Sequence, residues 1–163
     1  MRRILILAGI LLGSGCQQYD VTVNERVVYT PRPLLTEIRA RDPALRRCLQ
    51  DAIESQRISS AAALEVLDCP SAGVASVQGL GQFPGLRRLN LAHNALRQIE
   101  ELGMLESLSE LSLENNRVED AAPLYPLEQL AVLDLRGNPA LRCPPTGALA
   151  GLERLRLPRH CGG

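Results

Sequence analysis

The sequence predicts an α/β repeat solenoid, and three observations carry that prediction. The stretch "LRRLNLAHNALRQIEELGMLES", residues 86–107, returns in register without a gap as 108–129 and 130–151, and upstream as 64–85. A truncated fifth unit, "LERLRLPRHC", begins at residue 152. Two leucine columns run through all of them: Leu64, Leu86, Leu108, Leu130, Leu152, and Leu67, Leu89, Leu111, Leu133, Leu155. Within a unit the period is mixed. Leu89-Asn90-Leu91 alternates as a strand does, whereas Leu96, Ile99, Leu102 and Leu105 step by three, as in a tight helical return. One strand and one return cannot bury their apolar side alone, so the units must stack.

In chain order, the opening "MRRILILAGILLGSGC" has Arg2 and Arg3, an apolar run from Ile4 to Leu12, and small residues before Cys16. That is the layout of a secretory signal over residues 1–15, and the run is too short for a spanning helix of about 20 residues. Leu12-Gly13-Ser14-Gly15-Cys16 resembles the bacterial lipobox, with Gly13 where the usual leucine stands three places before the cysteine. The resemblance implies cleavage before Cys16 and its acylation, palmitate included, so that the membrane is met only through this lipid. Gln17 stands where aspartate favours inner-membrane retention in the Gram-negative families it resembles, so it points to the outer membrane. An ordinary signal peptide with an incidental cysteine is the blander alternative.

Residues 16–33 read as a tether. Val21 to Tyr29 has strand-like composition broken by Asn24-Glu25, which fits a small hairpin or an edge strand, and Pro31 and Pro33 stiffen the spacer. Residues 34–63 read as a helical N-terminal cap over the first repeat's open edge, with Asp42 as N-cap and Pro43 at the first helical position. Residues 64–163 hold about four and a half repeats ending in a C-terminal cap.

The recurring pattern L-x-x-L-x-L-x-x-N-x-L resembles the leucine-rich repeat, and its 22-residue form is similar to the repeats of bacterial internalin-like proteins. The likeness covers about 100 of 163 residues. It implies a short right-handed arc with a parallel sheet on its concave side. Asn94, Asn116 and Asn138 form a column whose buried amides can satisfy the turn leaving each strand. On this register Asn116→Ala should cost on the order of 1–3 kcal/mol. Asn115, one place earlier and facing solvent, should tolerate alanine within about 0.5 kcal/mol. Ala72 and His160 stand at the ends of the asparagine column, as suits terminal repeats.

Besides Cys16 the chain has Cys48, Cys69, Cys143 and Cys161. An even remainder in an exported protein reads as two disulfides, with three possible pairings. Position selects Cys48–Cys69 and Cys143–Cys161, because each pair is local to one end of the solenoid. A staple at each exposed end contributes on the order of 2–4 kcal/mol. A zinc site from Cys143, His160 and Cys161 is the alternative, but it lacks a fourth ligand and the usual cysteine spacing. The reading therefore carries no metal and no cofactor.

Composition narrows the function further. Without Arg2 and Arg3, 16 arginines face 18 acids, a formal charge of about −2, with no patch on the scale nucleic acid requires. The sequence has no lysine, so lysine chemistry is excluded. His93 and His160 sit three repeats apart, about 14 Å at roughly 4.8 Å per strand. No nucleophile stands with a base, and the reading is not an enzyme.

What remains is a surface. Residues flanking the inward leucines face the concave side in three columns: Val66, Arg88, Glu110, Val132, Arg154; Asp68, Asn90, Ser112, Asp134, Arg156; and Pro70, Ala92, Glu114, Arg136, Pro158. Parallel pairing sets Arg88 beside Glu110, Glu114 beside Arg136, and Asp134 beside Arg156. Such pairs are worth at most about 1 kcal/mol each and keep an exposed sheet soluble. The same face also reads as a site for an unknown protein partner, carried by Arg88, Asn90, Glu110, Glu114, Asp134, Arg136, Arg154 and Arg156. Arg154 and Arg156 are expected to be the least neutralised. The face has no tyrosine or tryptophan, the usual hot-spot residues. The overall reading is a lipid-anchored envelope protein with an interaction solenoid; the alternative is a structural lipoprotein without a specific partner.

Overall fold

The computed structural model describes residues 21–23, 26–29 and 34–162. The expected signal peptide, the lipidation site Cys16 and most of the tether lie outside the described residues. The chain divides into two units, 1–33 and 34–163. In the first, β1 (Val21–Val23) pairs antiparallel with β2 (Arg26–Tyr29), Val21 opposite Tyr29 and Val23 opposite Arg26. Of the two forms the sequence allowed there, the hairpin is the one present.

The second unit opens without regular structure and then enters α1 (Pro43–Gln56). The helix starts there for local reasons. Pro43 disfavours helical backbone at the residue before it, and Asp42 is extended (φ −67°, ψ 122°). Its Oδ1 accepts from the N–H groups of Ala44 and Leu45 at 2.8 and 3.0 Å. Within the expected cap, 34–63, the helix therefore occupies only the middle. Leu45, Leu49 and Ile53, spaced by four, are its buried stripe. Arg57 ends it in the left-handed region (φ 55°).

Five short strands follow, β3 (Val66–Asp68), β4 (Arg88–Asn90), β5 (Glu110–Ser112), β6 (Val132–Asp134) and β7 (Arg154–Arg156). They form one parallel sheet in chain order, with Leu67, Leu89, Leu111, Leu133 and Leu155 in register. The returns are 3₁₀ turns at Leu80–Gln82, Glu100–Met104 and Ala122–Leu124. One helix followed by stacked strand-and-return units that share a parallel sheet is the α/β solenoid the repeat predicts. Gly79 (φ +99°) has no substitute in its turn: a Cβ there would meet the Ala40 backbone at 2.6 Å.

The asparagine column ties successive repeats together. Asn116 Nδ2 donates to the carbonyls of Leu91 (2.8 Å), in the preceding repeat, and Leu113 (3.1 Å), while its Oδ1 accepts from Leu96 N–H (3.1 Å). Asn138 repeats this with Leu113, Leu135 and Val118, and Asn94 with Cys69, Leu91 and Val74. At the column's end His160 Nε2 lies 2.8 Å from the Leu141 carbonyl. One place earlier runs a second column that sequence reading missed. Ser71, His93, Asn115 and Gly137 all have positive φ, from 54° to 68°. Asn115 is exposed as expected, yet its backbone is left-handed, where alanine is penalised by roughly 1–2 kcal/mol. The expected tolerance within about 0.5 kcal/mol is therefore corrected upward.

Both disulfides are those expected. Cys48–Cys69 joins α1 to the residue after β3, and Cys143–Cys161 joins the last loop to the 3₁₀ turn Arg159–Cys161. The zinc alternative at Cys143, His160 and Cys161 needs both sulfurs as thiolates, and here they are bonded to each other. No helix among the described residues is long and apolar enough to cross a membrane.

Candidate functional site

Strand alternation builds the candidate surface. In each three-residue strand the central leucine points into the core and its two neighbours point to the opposite face. The register places Val66, Arg88, Glu110, Val132 and Arg154 side by side, and Asp68, Asn90, Ser112, Asp134 and Arg156 in a second row. Apart from Arg154, the rows line a shallow open groove of about 530 Å³. Of the third expected column, Glu114 and Arg136 line this groove as well, whereas Ala92 and Pro158 are buried.

The centre of charge is Asp134, only 7% exposed. Its Oδ1 accepts from the backbone N–H of Arg136 (3.1 Å), an Asx turn that closes β6. Arg136 also wraps the carboxylate, with Nε 3.0 Å from Oδ1 and Nη2 2.7 Å from Oδ2. From the next strand Arg156 Nη1 reaches Oδ2 at 3.2 Å. Glu114 flanks the far side of Arg136 at 3.1 Å. Burial pushes the Asp134 carboxyl up, but the Arg136 side chain and N–H and the Arg156 guanidinium outweigh it. The carboxyl is held below its ordinary value. The hydrogen bond to Asp134 in turn pushes Arg136 upward.

Three details depart from the sequence reading. Arg88 and Glu110 are register neighbours but form no ion pair within 4.0 Å. Arg156 is bonded to Asp134, so it is not among the least neutralised; Arg88 and Arg154 are the arginines of this face without a carboxylate at that distance among the described residues. The strongest contact, Arg136 to Asp134, joins two residues of one strand end, and a search for lateral pairs alone misses it. Asn90, also on the expected face, donates from Nδ2 to Asp68 Oδ1 at 2.7 Å, while its Oδ1 accepts from Ala92 N–H at 3.0 Å. The face thus offers guanidinium donors, carboxylate acceptors and two small aliphatic side chains, Val66 and Val132.

Comparison with solved structures gives the fold a context. An internalin (inlF) from Listeria monocytogenes superposes with a TM-score of 0.58 at 20% identity, over 70% of this chain and 42% of that one. This chain has a leucine-rich repeat fold. An internalin C2 (inlC2) of the same organism gives 0.49 at 21% identity, over 71% of this chain and 64% of that one. A leucine-rich repeat protein of Leptospira interrogans gives 0.44 at 24% identity, over 69% and 33%. The chain spans less than two thirds of the length of each of these proteins. No protein-family model matches the chain, and no curated protein sequence matches it.

Proposed function

We propose that this chain is a non-catalytic cell-envelope lipoprotein that presents the face of β3–β7 to a partner protein. The observation that carries the reading is the Asp134 network. A nearly buried carboxylate fixes two arginines of the sheet's face and leaves both side chains about half exposed, at 45% and 51%. Preset donors of this kind lose little freedom on docking. On this reading residues 1–15 are a signal peptide, 16–33 a tether, 34–63 the N-terminal cap and 64–163 the repeats. Cys16 carries the lipid, and the outer membrane of a Gram-negative cell is the destination. The two disulfides support an oxidising compartment.

A second reading, a structural lipoprotein without a specific partner, draws on the same network, since Asp134 and Glu114 neutralise their arginines. Capture from envelope extracts separates the two. The wild type should retain a discrete protein that an Arg88→Glu/Val132→Asp variant loses; identical capture profiles favour the structural reading. Intact-mass measurement of membrane-extracted protein tests the anchor. Loss of residues 1–15 with added acyl mass is expected, and retained Met1, or an unmodified Cys16, overturns it.

A further inference from the structure

The whole-chain charge balance hides a polarity along the solenoid. Residues 34–130 carry nine arginines against fourteen acids, whereas residues 131–162 carry five against two. On the face of the sheet that imbalance gathers at β6 and β7, where Arg136 and Arg156 hold the nearly buried Asp134 and Arg154 lies beside Val132. Among the described residues, Nη1 of Arg136, Nε and Nη2 of Arg156, and every guanidinium nitrogen of Arg154 lack a hydrogen-bond partner. Asp134 takes the Nε–Nη2 edge of Arg136, whose Nη2 also lies 3.1 Å from Glu114 Oε2. It holds Arg156 through Nη1 alone, so the Nε–Nη2 edge of Arg156 is open. The remaining N–H groups of Arg156 belong to a head that Asp134 already positions.

We propose that the β6–β7 end of the face is a receptor for carboxylates, and that its occupant is an acidic segment of a partner protein. The inference rests on the interaction reading above and names the chemistry of that partner. A guanidinium presents paired N–H groups whose spacing matches the two oxygens of a carboxylate, so free N–H edges call for bidentate acceptors. Asp134 supplies positioning: it keeps Arg136 and Arg156 from collapsing outward and spares a ligand the entropy of ordering them. Arg154, two residues before Arg156 and beside Val132 in register, extends the charge across β7 with no acid against it. Glu110 and Glu114 border the receptor and would repel an acidic chain laid further toward β5, which confines the docking to the β6–β7 end.

Fluorescence anisotropy of a labelled, end-blocked hexaglutamate peptide with detergent-solubilised full-length protein tests this. Saturable binding is expected at low salt, with affinity lowered about tenfold in Arg154→Gln/Arg156→Gln and unchanged in Arg97→Gln, which lies off the sheet. Asp134→Asn separates a built receptor from bulk charge. It removes a negative charge, yet it is expected to weaken binding several-fold because the arginines lose their clamp. Tighter binding in that variant, equal binding of a hexalysine peptide, or no saturation at all overturns the proposal. Displacement by inorganic tripolyphosphate at lower concentration than by unlabelled hexaglutamate would assign the site to phosphate instead, and also overturns it. These outcomes are separable from failure of the interaction reading. A partner lost by the Arg88→Glu/Val132→Asp variant but retained by Arg154→Gln/Arg156→Gln keeps that reading and discards this one.

Discussion

Asn116 is 4% exposed and uses its single amide to satisfy a donor and two carbonyls of two repeats. Alanine there leaves those groups buried and unpaired, at a cost of about 1–3 kcal/mol. Its neighbour Asn115 makes no comparable bonds: its side-chain hydrogen-bond contacts are to the His93 ring at 3.4 and 3.5 Å, and its amide packs against Gly137. Its burden is backbone: φ is +54°. Asn115→Ala is therefore expected to cost about 1 kcal/mol through the left-handed penalty, and Asn115→Gly, free of that penalty, within about 0.5 kcal/mol. Urea titration of the three variants checks the order; an alanine and a glycine of equal cost at 115 would remove the backbone explanation. The asparagine column was legible because it recurs with the leucines. The left-handed column was not read, although Asn115 and Gly137 are residue types that tolerate positive φ. Ser71 and His93 obscured the pattern.

At the scale of elements, one side chain both starts α1 and ties it to the first repeat. Asp42 Oδ1 caps the helix, and its Oδ2 accepts from Ala75 and Ser76 N–H at 2.9 and 3.2 Å, stitching the cap to the first repeat. Burial raises this carboxyl, and the four backbone donors more than offset that, so its pKa in the folded protein lies below the ordinary 3.8. The unfolded state thus binds its proton more readily. The stabilisation is complete above the ordinary carboxylate pKa and is lost as pH falls through the folded one. Asp42→Ala is expected to cost about 1–2 kcal/mol at pH 7. The gap to wild type, followed by urea midpoints, should narrow below about pH 4; a gap that is the same at pH 7 and pH 3 would show that ionisation plays no part. The sequence announced the N-cap through Asp42-Pro43. It did not announce the Ala75 and Ser76 contacts, because a bond across thirty-odd residues has no local signature. The ion pairs of the face divide the same way. Register exposed Asp134–Arg156, while Asp134–Arg136 depends on a side chain folding back along its own strand.

For the repeat unit as a whole, stability is a chain of neighbour contacts, and its two ends are closed unequally. At the N-terminal end α1 sets Leu45, Leu49 and Ile53 into the core; Cys48–Cys69 bonds it to the first repeat, and Gln56 Nε2 donates to the Val66 carbonyl at 3.0 Å. At the other end Leu152, Leu155 and Leu157 are only half-buried, and the closing elements are a three-residue 3₁₀ turn and Cys143–Cys161. Opening should therefore start at β7 and move inward. Amide hydrogen exchange read by peptide mass is expected to show residues 141–162 exchanging before 86–130, with 43–69 protected nearly as well as the middle repeats. Replacing Cys143 and Cys161 by serine should speed exchange in 131–162 and leave 43–69 unchanged. Replacing Cys48 and Cys69 should do less, because the buried stripe of α1 and the Asp42 bonds still hold the cap. Exchange that rises uniformly along the chain in either variant would mean that the repeats open as one cooperative body, and the picture of two independently stapled ends would be wrong.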